Sequence, residues 1–221
     1  MDGRQAKDRL YAQFAQTAKA LASAQRIELL ELLAQRERTV EALATASGLK
    51  LNNTSAHLQI LRRAGLVEAR KEATKVYYRL AGDEVAALVV ALRDLTRARV
   101  AEVEKVVDDY FRIRDALEPL TQAELVERAE RGQVVILDVR PTEEFLAGHI
   151  PGALSVPLDE LDAALGSLPR RAEIVAYCRG PCCVVSPLAV ERLRAHGFKA
   201  RRLEDGMPAW RLAGRPVAIG S

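Results

Sequence analysis

No uninterrupted apolar run in the 221 residues approaches the roughly 18 that a membrane-spanning helix requires, so a helical membrane protein is excluded. The N-terminus, Met1-Asp2-Gly3-Arg4-Gln5, is polar and has no apolar signal-peptide core behind it. A cytoplasmic location and no membrane partner are expected. Cysteine is scarce: Cys178, Cys182 and Cys183 fall in one short stretch, and none lies elsewhere to staple distant segments. That excludes a structural disulfide framework and, in a reducing compartment, reads as reactive or ligand-binding thiols. Internal repeats and low-complexity tracts are absent as well, and the net charge of +3 by itself says little about partners.

What is present fits two domains, because the length exceeds the roughly 100–150 residues of a usual single core. In the first part, Leu10, Tyr11, Phe14, Ala18 and Leu21 recur at helical spacing, and Ile27, Leu30 and Leu33 follow after a cap at Ser23. Thr39 caps a short helix that ends near Gly48, and a further helix from about Asn52 to Ala64 is stopped by Gly65. Leu66 to Ala69 and Val76 to Leu80 read as strands around the polar turn Lys71-Glu72-Ala73-Thr74. Helix, turn, helix and hairpin in this order make a winged helix-turn-helix. A long helix from Asp83 to about Leu117 carries more apolar surface than so small a domain can bury, so pairing in a homodimer is its natural use.

Charge supports a nucleic-acid partner. Between Leu51 and Gly82, Arg62, Arg63, Arg70, Lys71, Lys75 and Arg79 face only Glu68 and Glu72, six minus two, a local +4 on a nearly neutral chain. In a helix-turn-helix the second helix enters the major groove of double-stranded DNA while the wing touches phosphate. With Thr54, Leu58 and Leu61 toward the core, Asn53, Ser55, Ala56, Gln59 and Arg62 are left toward DNA, with His57 flanking. Asn and Gln suit bidentate contacts to adenine, and Arg70, Lys71 and Lys75 supply the wing.

After a linker at Glu118-Pro119-Leu120 the period changes. Val134 to Leu137 and Ile174 to Tyr177 are continuous apolar runs, as buried parallel strands are. They alternate with helical segments at Gln122 to Arg131, Pro187 to His196 and Met207 to Ala213, so an α/β domain is expected over 119–221, following a mainly-α domain over 1–118. Tyr177-Cys178-Arg179-Gly180-Pro181-Cys182-Cys183 leaves the second strand and runs toward a helix beginning near Pro187 with Ser186 as cap. Backbone N–H groups converging there favour anions, and Arg179 adds positive charge, so a depressed thiol pKa and strong nucleophilicity are expected of Cys178.

The run Asn53-Thr54-Ser55-Ala56-His57-Leu58-Gln59-Ile60-Leu61-Arg62-Arg63-Ala64-Gly65-Leu66-Val67, with Val76-Tyr77-Tyr78-Arg79-Leu80, resembles the ArsR family of dimeric bacterial repressors over about residues 5 to 115. The resemblance implies operator binding as a homodimer. Many family members sense metals through a Cys-x-Cys pair on the helix before the reader. Here Val40-Glu41-Ala42-Leu43-Ala44-Thr45-Ala46 offers neither thiol nor imidazole, and His57, His149 and His196 are the only histidines, so no metal site of that type and no cofactor is expected.

The second half resembles the rhodanese family over about residues 120 to 217. Its pieces are Ile136-Leu137-Asp138-Val139-Arg140, Glu144-Phe145-Leu146-Ala147-Gly148-His149-Ile150-Pro151-Gly152-Ala153, Val175-Ala176-Tyr177-Cys178-Arg179 and Leu203-Glu204-Asp205-Gly206-Met207-Pro208-Ala209-Trp210. The resemblance implies that Cys178 takes a sulfane sulfur from a donor such as thiosulfate or polysulfide. Asp138, Arg140 and His149 are expected to fix loops. The loop departs from the short family form: it lacks a second basic residue near its end and gains Cys182 and Cys183, so a persulfide on Cys178 is open to attack by either thiol. The expected function is a sulfur-responsive repressor. Its rivals are a sulfurtransferase with a DNA-binding domain, and a metalloid sensor binding arsenite through the three thiols.

Overall fold

The computed structural model describes residues 1–107, 109 and 119–220. The chain divides into two compact units, Met1–Val90 and Ala91–Ser221, the division falling inside one helix. No helix of the described residues is long and apolar enough to cross a membrane.

The first unit opens with α1 (Gly3–Leu21) and α2 (Ala24–Leu33), followed by the short strand β1 (Arg38–Thr39). Thr39 does cap α3 (Val40–Ser47), accepting the Ala42 N–H at 3.2 Å, and Gly48 ends that helix in the left-handed conformation. Ser23 occupies the N-cap position of α2 but makes no capping bond. Its hydroxyl donates instead to Gln25 at 2.9 Å. Next come α4 (Leu51–Arg63), the hairpin β2 (Val67–Glu72) and β3 (Lys75–Leu80), and α5 (Asp83–Arg99). The three strands form an antiparallel sheet in the order β1-β3-β2. One core unites Leu29, Leu30 and Leu33 of α2, Leu43 of α3, Leu58 and Leu61 of α4, Tyr78 of β3, and Val85 and Val89 of α5.

Two expectations change here. Strand pairing runs out to Glu72 opposite Lys75, so the turn shrinks to Ala73 and Thr74, and Lys71 is a paired strand residue rather than part of the turn. The long helix is interrupted at Val100 and resumes as α6 (Ala101–Val107). One turn before the break, the Thr96 hydroxyl donates to the Leu92 carbonyl at 2.7 Å, a contact of the kind that competes with the helical ladder. The continuation expected through 108 and 110–117, and Glu118 of the linker, lie outside the described residues.

In the second unit, α7 (Gln122–Glu130) starts with a reciprocal capping box between Thr121 and Glu124. There follow β4 (Val134–Asp138), α8 (Thr142–Ala147), β5 (Leu154–Ser155), α9 (Leu161–Ala164), β6 (Glu173–Tyr177), α10 (Val185–Ala195), β7 (Ala200–Arg202) and α11 (Met207–Leu212). The strands are parallel in the order β5-β4-β6-β7. Strand residues alternate between two buried layers. Ile174, Ala176 and Cys178 join Ala189, Val190 and Leu193 of α10, whereas Val175 and Tyr177 join Leu125, Phe145, Met207 and Trp210. Leu120, read as linker, is fully buried and bridges to Leu203 at the sheet.

The chain goes from β4 out to β5 and then back across to β6 on the other side. The carboxyl ends of β4 and β6 therefore flank the point where strand order reverses, where open α/β sheets place their crevices. Cys178 is the first residue beyond β6.

Candidate functional site

Two surfaces carry the chemistry. On the first unit, α4 buries Thr54, Leu58 and Leu61, one face at helical spacing. The opposite face leaves Asn53, Ala56, Gln59 and Arg62 exposed and Ser55 half-buried, as expected of a reader helix. His57 is half-buried too, and its Nδ1 is enclosed with no hydrogen-bond partner among the described residues. On the hairpin, Lys71 and Lys75 are exposed. Arg70 lies on β2 of the hairpin, where its side chain is paired with acidic groups. Its guanidinium donates to Glu37 at 2.8, 3.0 and 2.6 Å, reaches Glu72, and lies 4.6 Å from the Tyr77 ring centroid. Arg79 is likewise tied to Glu68, at 2.5 Å. Glu68 and Glu72, already subtracted in the +4, thus sit on the hairpin's two arginines, Glu37 brings one further negative charge, and the open cationic side chains on the hairpin are the two lysines.

On the second unit, Cys178 is buried at 2% exposure and its sulfur is bonded to that of Cys183, half-buried, in a disulfide with Cα atoms 6.4 Å apart. Cys182 is exposed and stands outside that bond. The Cys183 N–H donates to the Gly180 carbonyl at 3.0 Å, closing a turn, so it is not one of the N–H groups converging on Cys178. The helix after the loop begins at Val185, with Val184 in the N-cap position and no side-chain cap. Ser186, expected as the cap, is buried within its first turn.

Arg179 also differs from expectation. It donates to both oxygens of Glu144 at 3.0, 3.1 and 2.7 Å, and that carboxylate is fully buried. The positive charge beside Cys178 is therefore largely answered by Glu144. Beneath the loop, Arg140 makes charge-assisted bonds to Asp138 at 3.0, 3.2 and 2.6 Å and donates to the Gly148 carbonyl at 2.8 Å. Burial penalises the Arg140 charge, but the Asp138 bonds and charge outweigh it and hold the guanidinium above its usual pKa. Tyr177 donates to Asp138 at 2.5 Å and accepts the Ile150 N–H at 3.1 Å. Burial, and then the Asp138 charge, push its phenol well above the ordinary value, so it stays a donor. His149 stacks on Phe145 with centroids 3.7 Å apart, and its Nδ1 lies 3.0 Å from the Phe145 carbonyl. Asp138, Arg140 and His149 accordingly act as loop fasteners.

Sequence reasoning missed three residues: Glu144, Glu37 and Gly206. Glu144 and Glu37 lie 35 and 33 residues from their arginines, distances at which no local spacing rule operates. Gly206 abuts the cysteine loop so closely that a Cβ would lie 2.2 Å from the Arg179 carbonyl carbon and oxygen.

A winged helix-turn-helix followed by a parallel sheet with a cysteine loop at its switch point defines a DNA-binding regulator with an appended α/β unit. Comparison with known proteins agrees on both halves. Residues 23–69 match the bacterial regulatory protein, arsR family, and residues 121–213 match the rhodanese-like domain. The HTH-type transcriptional regulator Rv0324 of Mycobacterium tuberculosis is 47% identical over 215 residues, covering 97% of this chain and 94% of that protein. A homodimeric winged helix-turn-helix DNA-binding domain from Mycobacterium bovis is 46% identical, with a TM-score of 0.42, covering 45% of this chain and 91% of that one. A sulfurtransferase of Allochromatium vinosum is 27% identical over 89 residues, which is 40% of this chain and 82% of that protein. The chain belongs to the arsR family of bacterial transcriptional regulators, with a rhodanese-like domain in its second half.

Proposed function

We propose that this regulator is a dimeric repressor that binds duplex operator DNA through Asn53, Ser55, Gln59, Arg62, Lys71 and Lys75, and that sulfur chemistry at Cys178 sets its operator affinity. On this reading residues 1–118 bind DNA and dimerise, and residues 119–221 sense. The observation that carries it is the bonding of Cys178 to Cys183 within one loop at the sheet switch point. Dimerisation is supported by α1, which leaves Leu10, Tyr11 and Phe14 at 57%, 60% and 63% exposure, an apolar stripe that a second copy would cover.

The chemistry balances with a hydropersulfide or polysulfide as donor. The Cys178 thiolate attacks the terminal sulfur of R–S–SH, forming Cys178–S–SH and releasing RS⁻. The Cys183 thiolate then attacks the Cys178 sulfur and expels HS⁻, so two thiols are oxidised to the disulfide and one sulfane sulfur is reduced to sulfide. With thiosulfate, sulfite leaves in the first step.

The test combines intact mass and operator binding on the same samples of reduced full-length protein exposed to polysulfide, thiosulfate or arsenite. Sulfur should change wild-type operator affinity by about 5- to 150-fold, the range of ordinary allosteric couplings. Cys178→Ser should bind the operator as the reduced protein does and lose the response. Cys183→Ser should gain one sulfur without the full response. An unchanged wild-type binding curve after confirmed oxidation would sink the sensing role. If thiosulfate turnover were then brisk, sulfurtransferase activity would take its place. Arsenite binding with no polysulfide effect would favour metalloid sensing.

A further inference from the structure

We infer that Glu37 is an internal competitor for the DNA backbone. It occupies Arg70, and the wing gains that arginine as a phosphate contact only when phosphate displaces the carboxylate. The inference rests on the DNA-binding reading of the first unit and is independent of the sulfur chemistry.

Arg70 lies on β2, one residue from exposed Lys71, on the hairpin that a winged helix-turn-helix lays along phosphate. Its guanidinium is held in a fork by both oxygens of Glu37, at 2.6 to 3.0 Å, with Glu72 on the remaining nitrogen and the Tyr77 ring against its face. A planar fork receiving two oxygens of one anion is the geometry in which arginine takes phosphate. Glu37 therefore stands where a phosphate would stand. Glu72 is a hairpin neighbour, but Glu37 comes from the α2–β1 connection, so this pairing is built by the tertiary fold.

The pair is poised for exchange. The Arg70 side chain is 51% exposed and that of Glu37 26%, so solvent screens their attraction and little holds them together against a competing anion. A buried pair would not exchange, and an unpaired arginine would add to every encounter with DNA. The arrangement keeps the hairpin's standing charge low, on Lys71 and Lys75, until the backbone is close. Arg79 is paired with Glu68 across the hairpin at 2.5 Å, a single contact between opposed strand residues.

The experiment titrates full-length reduced protein against a mixed-sequence duplex of about three helical turns across a range of salt. Wild type, Glu37→Gln, Arg70→Ala and the double variant are compared, with thermal melting as the check on folding. Arg70→Ala should flatten log K against log salt by about 0.9, the one phosphate contact that exchange supplies, and Glu37→Gln should bind several-fold more tightly than wild type because no carboxylate has to be displaced. Removing any negative charge strengthens binding somewhat, so the double variant decides: Glu37→Gln should tighten binding clearly less in the Arg70→Ala background than in wild type. Equal tightening in both backgrounds overturns the inference, as does an Arg70→Ala slope matching wild type. Should Glu37→Gln melt early, Glu37→Asp keeps the charge but shortens the reach. It should still tighten binding, and an affinity matching wild type there counts against the inference. Wild type that fails to bind the duplex even at low salt defeats the DNA reading itself, an outcome distinct from a bound wild type with an inert Glu37.

Discussion

At the scale of single residues, the cysteine loop is held by a contact in which one partner has no side chain. Gly206 has φ −120°, a value open to any residue, so its role is space rather than conformational freedom. A Cβ there would meet the Arg179 carbonyl at 2.2 Å and the Gly180 nitrogen at 2.3 Å, backbone atoms that cannot rotate away. The Met207 N–H completes the brace by donating to the Cys178 carbonyl at 3.3 Å. Gly206→Ala should therefore push the loop off this segment, costing about 1–3 kcal/mol of the second unit's stability as overpacking does. It should also change the alkylation rate of Cys178 in reduced protein. Denaturant melts and timed alkylation read both, and a variant matching wild type in the two would remove the brace from the account. The cysteine loop itself was legible in sequence because all three cysteines cluster in one stretch after a buried strand. The charges around them were not: Arg179 is adjacent to Cys178 in the chain, but its partner Glu144 arrives from α8, and only the fold discloses that the arginine's charge is answered.

At the scale of elements, the wing hairpin shows how local rules succeed and where they stop. The alternation from Val67 to Leu80 marks two strands. Their length is set by the turn, and Ala73 adopts φ 52°, the single non-glycine residue with positive φ among those described. An L-residue with a Cβ pays roughly 1–2 kcal/mol for that conformation. Ala73→Gly should recover some of this, about 0.5–1 kcal/mol after the extra freedom glycine brings to the unfolded chain. A raised melting temperature of the first unit is the expected result, and a lowered one would mean that the turn is not strained. The same limit explains the misplaced cap of α10. Ser186 and Pro187 form a recognisable start signal, yet the helix begins at Val185 because the turn closed by the Cys183 N–H on Gly180 feeds directly into it. Periodicity located α4 and its buried face to within a residue, since there one amphipathic stripe meets one core.

At the scale of the whole molecule, the first unit leaves apolar surface that it cannot cover alone. Besides the α1 stripe, Leu88 of α5 is 41% exposed. If a two-fold partner covers them, two copies of α4 face DNA together, and the target is an inverted repeat whose half-sites lie about one turn, roughly 34 Å, apart. Sedimentation at micromolar concentration should show a dimer, and footprinting should show two protected half-sites with that spacing. A monomer would undo the geometry. Composition and pattern were enough to read two domains and their classes, because each class has its own period. They could not supply the pairing of Arg70 with Glu37, which joins two residues far apart in the chain.

The bond between Cys178 and Cys183 has one more implication. A noncovalent effector leaves when its concentration falls, and the protein forgets it at once. A disulfide persists until another thiol attacks it, and here one of its two sulfurs belongs to a residue only 2% exposed, leaving Cys183 as the open side of approach. On the proposed reading, the duration of the response is then governed by the reductant that reaches Cys183 and not by the donor that started it. The loop would keep time as well as register dose, and a brief exposure to sulfur would leave a record that outlasts it.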